Sequence, residues 1–154
     1  MIRRSKIKEP GPGAIVVLPL SGGRKGYARL LKKPLMAFYA VQSDALLSID
    51  EILKQPVAFK VWVMSSAITS GRWTVIGCVP LGPALEESPW FFKQDAISKA
   101  LSIYRDGVES PATKEQCEGL ECAAVWSAQH VESRLEDYFE GRSNKWLDAL
   151  KLKG

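Results

Sequence analysis

The sequence has one histidine, His130, and three cysteines, Cys78, Cys117 and Cys122. A zinc site needs a second pair of thiols or nearby imidazoles, and neither is present, so no metal is expected. The odd number of thiols reads as reduced and structural, with a disulfide across the turn in "CEGLEC" as the alternative for Cys117 and Cys122. Acid–base work by His130 needs a positioned partner, and none can be named. The nucleophile elbow, the H-E-x-x-H helix and the dinucleotide fingerprint are all missing. Glu86 and Glu87 fall in a loop, and Glu136 and Asp137 on the polar side of a helix, where adjacent residues diverge. These absences point away from an enzyme and from any cofactor. Long apolar runs are also missing. Ala14–Leu20 is too short to cross a bilayer and lacks a secretory cleavage site, so a cytoplasmic protein is expected.

The 154 residues suit one domain with its own core. Hydrophobic residues are 46% and charged residues 25%, an ordinary soluble composition. The net charge of +4 is unevenly placed. Residues 1–60 carry eleven Lys and Arg against four Asp and Glu, and residues 61–154 carry ten against thirteen. The basic excess therefore lies in "RRSKIK" and in "SGGRKGYARLLKK". It reads either as a solvated tail and hairpin or as a nucleic-acid patch. Residues 1–13 are assigned to a basic tail, and residues 14–154 to a single globular domain.

"AIVVLPL" (14–20) is rich in β-branched residues and predicts a strand, returned by "YARLLKK" (27–33) after a glycine-rich turn. That turn lacks the P-loop spacing and does not lead into a helix. "LMAFYAV" (35–41) predicts a third strand. In "SIDEILKQP", Ser48 and Glu51 have the capping-box spacing, and Pro56 stops a short helix. "VAFKVWVM" (57–64) alternates strictly, and "SSAITSG" continues as strand or turn. "RWTVIGCVPL" (72–81) is apolar on both faces, which predicts a central or barrel strand beside 57–64. "WFFK" (90–93) is read as extended, "AISKALSIY" as strand or short helix, "DGVESPATKEQCEGL" as a polar connection, and "ECAAVWS" as the last strand.

The C-terminus is helical in pattern. Val131, Leu135, Tyr138 and Phe139 recur at helix spacing, and Gly141 suits the helix end. Ser143 suits the cap of a second helix carrying Trp146, Leu147 and Leu150. The fold class is therefore α+β and mainly β. It is a curled antiparallel sheet or SH3-like barrel with a short internal helix and C-terminal helices.

Five tryptophans are many for this length. Trp62 and Trp126 are assigned to the core. Trp90, in "ESPWFFKQD", either covers the core or anchors a partner.

The sequence "GPGAIVVLPL", then "GYARLL", "PLMAFY", "SGRWTVIGCVPL" and "PWFF", resembles the immunity protein 26 family of bacterial polymorphic toxin systems. The resemblance runs from Gly13 to Lys93. It implies a small β-rich cytoplasmic protein that binds a cognate toxin stoichiometrically and blocks it. It makes Arg72, Trp73, Gly77 and Pro80 a fold signature, with Trp73 plugging the end of the barrel, Gly77 marking a bulge or a close backbone approach, and Arg72 lying over an aromatic ring or pairing with a carboxylate. Two surfaces are candidates for the toxin: the basic hairpin at Arg24, Lys25 and Arg29, and the acidic set Glu132, Glu136, Asp137 and Glu140. The alternative function is a nucleic-acid-associated SH3-like module using the basic residues between 24 and 33. No membrane partner is expected.

Overall fold

The structure is a computed structural model that describes residues 10–153. The stretch "RRSKIK", assigned above to the tail, lies outside those residues. In chain order the first elements are β1 (Ala14–Pro19), β2 (Lys25–Leu30), β3 (Leu35–Ser43), α1 (Ile49–Leu53), β4 (Val57–Val63) and α2 (Ser66–Thr69). They are followed by β5 (Thr74–Cys78), α3 (Pro83–Glu86), β6 (Phe91–Gln94), β7 (Leu101–Arg105), β8 (Val108–Pro111) and α4 (Lys114–Cys117). The chain closes with β9 (Glu121–Cys122), β10 (Val125–Trp126), α5 (Ala128–Glu140) and α6 (Lys145–Asp148).

Two sheets result. The larger has the order β10-β4-β3-β2-β1-β5 and the smaller β8-β7-β6-β9. Strands β1 to β4 form an antiparallel meander. β5 adds to the outer side of β1, and β10 pairs in parallel with β4 over two residues. The ends do not meet, so the sheet is curled and open, and the barrel alternative falls away. The fold is α+β and mainly β, as expected.

Strict alternation in β4 does what its pattern requires. Phe59, Val61 and Val63 are buried in the main core, where they meet Val16, Leu18, Phe38, Trp73 and, from α5, Val131 and Leu135. Each such leucine, fully buried, contributes on the order of 2 kcal/mol. The other face of the sheet is covered by α1, through Ile52 against Ile15, Tyr27 and Tyr39. It is also covered by the small sheet, whose Phe91 packs with Leu31, Leu35 and Ala37. Trp62 bridges the sheets, 4.6 Å from the Phe91 ring and 5.4 Å from that of Tyr104.

Several expectations need correction. β5 lies at the opposite side of the sheet from β4, not beside it, and it is an edge strand. Only its α1 side is covered, by the packing of Ile76 and the approach of Ile49 to Gly77; Trp73, which packs in the main core, precedes the strand, and Thr74, Val75 and Cys78 are exposed. "SSAITSG" holds the helical turn α2, whose Ala67 and Ile68 cap the core. "AISKALSIY" resolves as β7, turned into β8 at Asp106 (φ 49°) and Gly107 (φ 84°), so the polar connection contains a strand and α4. The last strand is two short pieces, β9 and β10, one in each sheet. Gly141 ends α5 in the left-handed region as anticipated, but Asn144, not Ser143, caps α6 by accepting from Leu147 N. Tyr138 is exposed, because the buried stripe of α5 runs through Val131 and Leu135 toward Phe139.

Candidate functional site

The residues that stand out in "SGRWTVIGCVPL" fasten β5 at both ends. At its start, the Glu132 carboxylate accepts from Arg72 Nε and Nη2 at 2.7 Å each and from Trp73 Nε1 at 2.8 Å. Trp73 is only 1% exposed and meets Phe38 edge-on. The Glu132 hydrogen bond holds the Arg72 guanidinium above its ordinary value, against a smaller opposing desolvation. Of the two placements expected for Arg72, the carboxylate pair is the one observed.

At the other end of β5, Arg29 reaches across from β2. Its Nη2 donates to Val79 O at 2.7 Å and Pro80 O at 2.8 Å. Val79 N donates to Gly13 O. Gly13, at φ +94°, has no room for a side chain, since a Cβ there would stand 2.4 Å from Val79 O. In mid-strand, a Cβ on Gly77 would stand 2.5 Å from Ile49 Cδ1. The register also slips by one opposite Ile15 and Val16, which marks a bulge at Ile76. Of the two readings of Gly77, the bulge is present next to it, at Ile76, whereas what approaches Gly77 is the Ile49 side chain and not backbone.

The two candidate charged surfaces are not what their sequence positions suggested. Arg29 is buried and bound to backbone, and Glu132 is buried and bound to Arg72 and Trp73. Neither is available to a partner. Of the remaining residues, Arg24 and Glu140 meet each other. Ser21 N donates to Glu136, and Arg24 lies 3.8 Å from Glu140. Asp137 accepts from Arg142 Nε at 3.2 Å and Asn144 Nδ2 at 2.8 Å. Lys25 donates to Asp44 O at 2.9 Å. The basic turn and the acidic helix thus form one face of mixed sign, with the exposed Tyr138 on the same helix. The five cations of the nucleic-acid alternative are scattered: Arg29 is internal, Arg24 faces Glu140, and Lys32 lies 3.8 Å from Asp106.

Sequence reasoning missed a buried ion pair. Arg134 of α5 binds Glu121 through both terminal nitrogens, and its guanidinium lies 3.8 Å from the Phe59 ring centroid and 5.1 Å from that of Trp126. Charged residues at polar-looking helix positions carry no mark of such burial. His130 stacks on Trp146 at 3.6 Å. Trp90 is half-exposed with Arg105 over its ring at 5.4 Å, and Trp126 is buried. Cys78, Cys117 and Cys122 are all free thiols. Among the described residues, no cluster of His, Cys, Asp or Glu is arranged to hold a metal ion. Nor is any helix long and apolar enough to cross a membrane.

Fold and contacts together define a β-rich α+β scaffold whose signature residues are architectural: they build and brace one sheet edge. The chain matches the family model for Immunity protein 26 over residues 11–102 and belongs to that family. Membership gives it an immunity role in a toxin system. No curated protein and no solved structure matches it. The family match ends within β7, so Glu132, which joins Arg72 to Trp73, lies beyond it.

Proposed function

We propose that this protein neutralises a cognate toxin by stoichiometric binding, in the cytoplasm, and turns over no substrate. Family membership over residues 11–102 carries this reading. The tertiary contacts support it: the conspicuous charged and aromatic groups of the motif hold the fold and converge on no reacting centre. The mixed-sign face of Arg24, Glu136, Asp137 and Glu140 supplies the charged rim that speeds encounter with the toxin, and Lys25 lies apart from it, bound to Asp44 O. Tyr138 supplies exposed aromatic area beside it.

The test is co-expression with the protein encoded next to its gene. Growth rescue and a one-to-one complex of the purified pair are expected. Rescue at far below one molecule per toxin molecule refutes the stoichiometric mechanism.

A further inference from the structure

The sheets expose four edges, and they are not alike. β9 and β10 are two residues each. β8 carries Glu109, ends in Pro111, and is therefore blunted against pairing. β5 has five residues, Thr74–Cys78, and none is charged or proline. Among the described residues it is hydrogen-bonded on one side only, to β1. Thr74, Val75 and Cys78 are exposed. An uncharged edge of this kind offers a row of backbone donors and acceptors to another strand.

This edge is also braced at both ends. Glu132 holds Arg72 and Trp73 at one end, Arg29 holds the Val79 and Pro80 carbonyls at the other, and Ile49 fills the space over Gly77. The bulge leaves Ile76 and Gly77 both facing α1. Bracing an edge holds it in the bound conformation before the partner arrives, which lowers the ordering cost of binding.

We propose that the outer edge of β5 is the docking strand for an extended, cation-bearing segment of the toxin, which adds to the large sheet as a seventh strand. The proposal rests on the toxin-binding reading above. Charge selects this occupant. Ile49 sits on Gly77, and the next residues, Asp50 and Glu51, are both exposed, with Lys54 at the far end of α1. A Lys or Arg on the α1 side of an added strand faces the acidic start of α1, where Asp50 is exposed and Glu51 accepts from the Ser48 hydroxyl. A second copy pairing antiparallel through β5 places α1 beside α1 on one face of the joined sheet, with Asp50 and Glu51 opposed to their own kind. The edge also continues into the mixed-sign face, since Glu132, beside Arg72, is one helical turn from Glu136.

Hydrogen–deuterium exchange on the free protein and on the purified one-to-one toxin complex tests this. Amides of Thr74–Cys78 are expected to gain protection in the complex. Val75→Lys, which puts a charge on the edge, is expected to weaken binding about 30-fold, the scale of a hot-spot loss, with an unchanged unfolding midpoint. A complex with unprotected β5 amides overturns the edge assignment and leaves toxin binding intact. Failure to form any complex overturns the toxin-binding reading and this one with it. Protection, already present in the free protein, of those β5 amides that point away from β1 also overturns the proposal. Its loss on dilution of a dimer then assigns the edge to a second copy, and its loss on deletion of residues 1–9 assigns it to the chain's own N-terminus.

Discussion

Glu132→Ala removes the acceptor on which three donors converge, and the cost can be worked from their surroundings. The Arg72 side chain is 40% exposed, so its guanidinium turns to water when the carboxylate goes. That half of the interaction is worth at most about 1 kcal/mol. Trp73 is 1% exposed, and its indole N–H has no such route. Left unpaired in the core, it costs about 1–3 kcal/mol. The lost packing of the Glu132 Cγ methylene adds on the order of 0.8 kcal/mol. A total near 3 kcal/mol is expected, mostly from the orphaned indole. With a urea dependence of about 2 kcal/mol per molar, the unfolding midpoint falls by about 1.5 M. The same substitution in a Trp73→Phe background isolates the indole, because phenylalanine fills most of the space and has no N–H. There the loss is expected to shrink by about 1–3 kcal/mol. A coupling below about 0.5 kcal/mol, the usual error of additivity, refutes the claim that the indole bond anchors this strand.

Four further outcomes follow from the packing. Trp73→Ala is expected to cost about 3–5 kcal/mol, and an unchanged denaturation midpoint rejects the buried plug. Gly13→Ala is expected to destabilise far more than Gly77→Ala. The first drives a Cβ into a carbonyl at positive φ, and the second meets only the mobile end of Ile49, so Ile49→Val should restore the Gly77 variant but not the Gly13 one. Cys78 is exposed, whereas burial raises the thiol values of Cys117 and Cys122, helped for the latter by Glu121. An aromatic disulfide reagent at pH 8 should titrate one thiol quickly and the other two only in denaturant, and two fast thiols contradict this. The Ser98 N–H, then the Ser98 hydroxyl and the Ile97 N–H, hold the Asp95 carboxyl below its usual range. Its contribution is therefore present above the unfolded value and lost as pH falls through the folded one. Exchange of the Ile97 and Ser98 amides, corrected for intrinsic rate, should accelerate in that window, and a flat profile refutes the loop's dependence on the carboxylate.

Local chemistry was legible wherever a residue's role depends on its chain neighbours. Alternation in 57–63 marked β4, Ser48 and Glu51 marked the start of α1, and the αL-tolerant Gly141 marked the end of α5. The motifs around Arg72 and Trp73 were sufficient to suggest the family. Surface charge was the weakest part of the reading. Arg29 and Glu132 look like their solvated neighbours in sequence, yet each is buried against a partner 50 or 60 residues away.

By itself, then, the sequence determined where β1 to β4, α1 and α5 lie and which family the chain resembles. Tertiary structure alone decided the rest: that β5 is an edge and not a centre, that the sheet stays open, and that basic turn and acidic helix share one face. The reason lies in range. Period-two and period-3.6 patterns report which residues are apolar, and an edge strand whose apolar residues include the exposed Val75 carries the same pattern as a central strand. Only the path of the chain shows whether a second strand stands beside it.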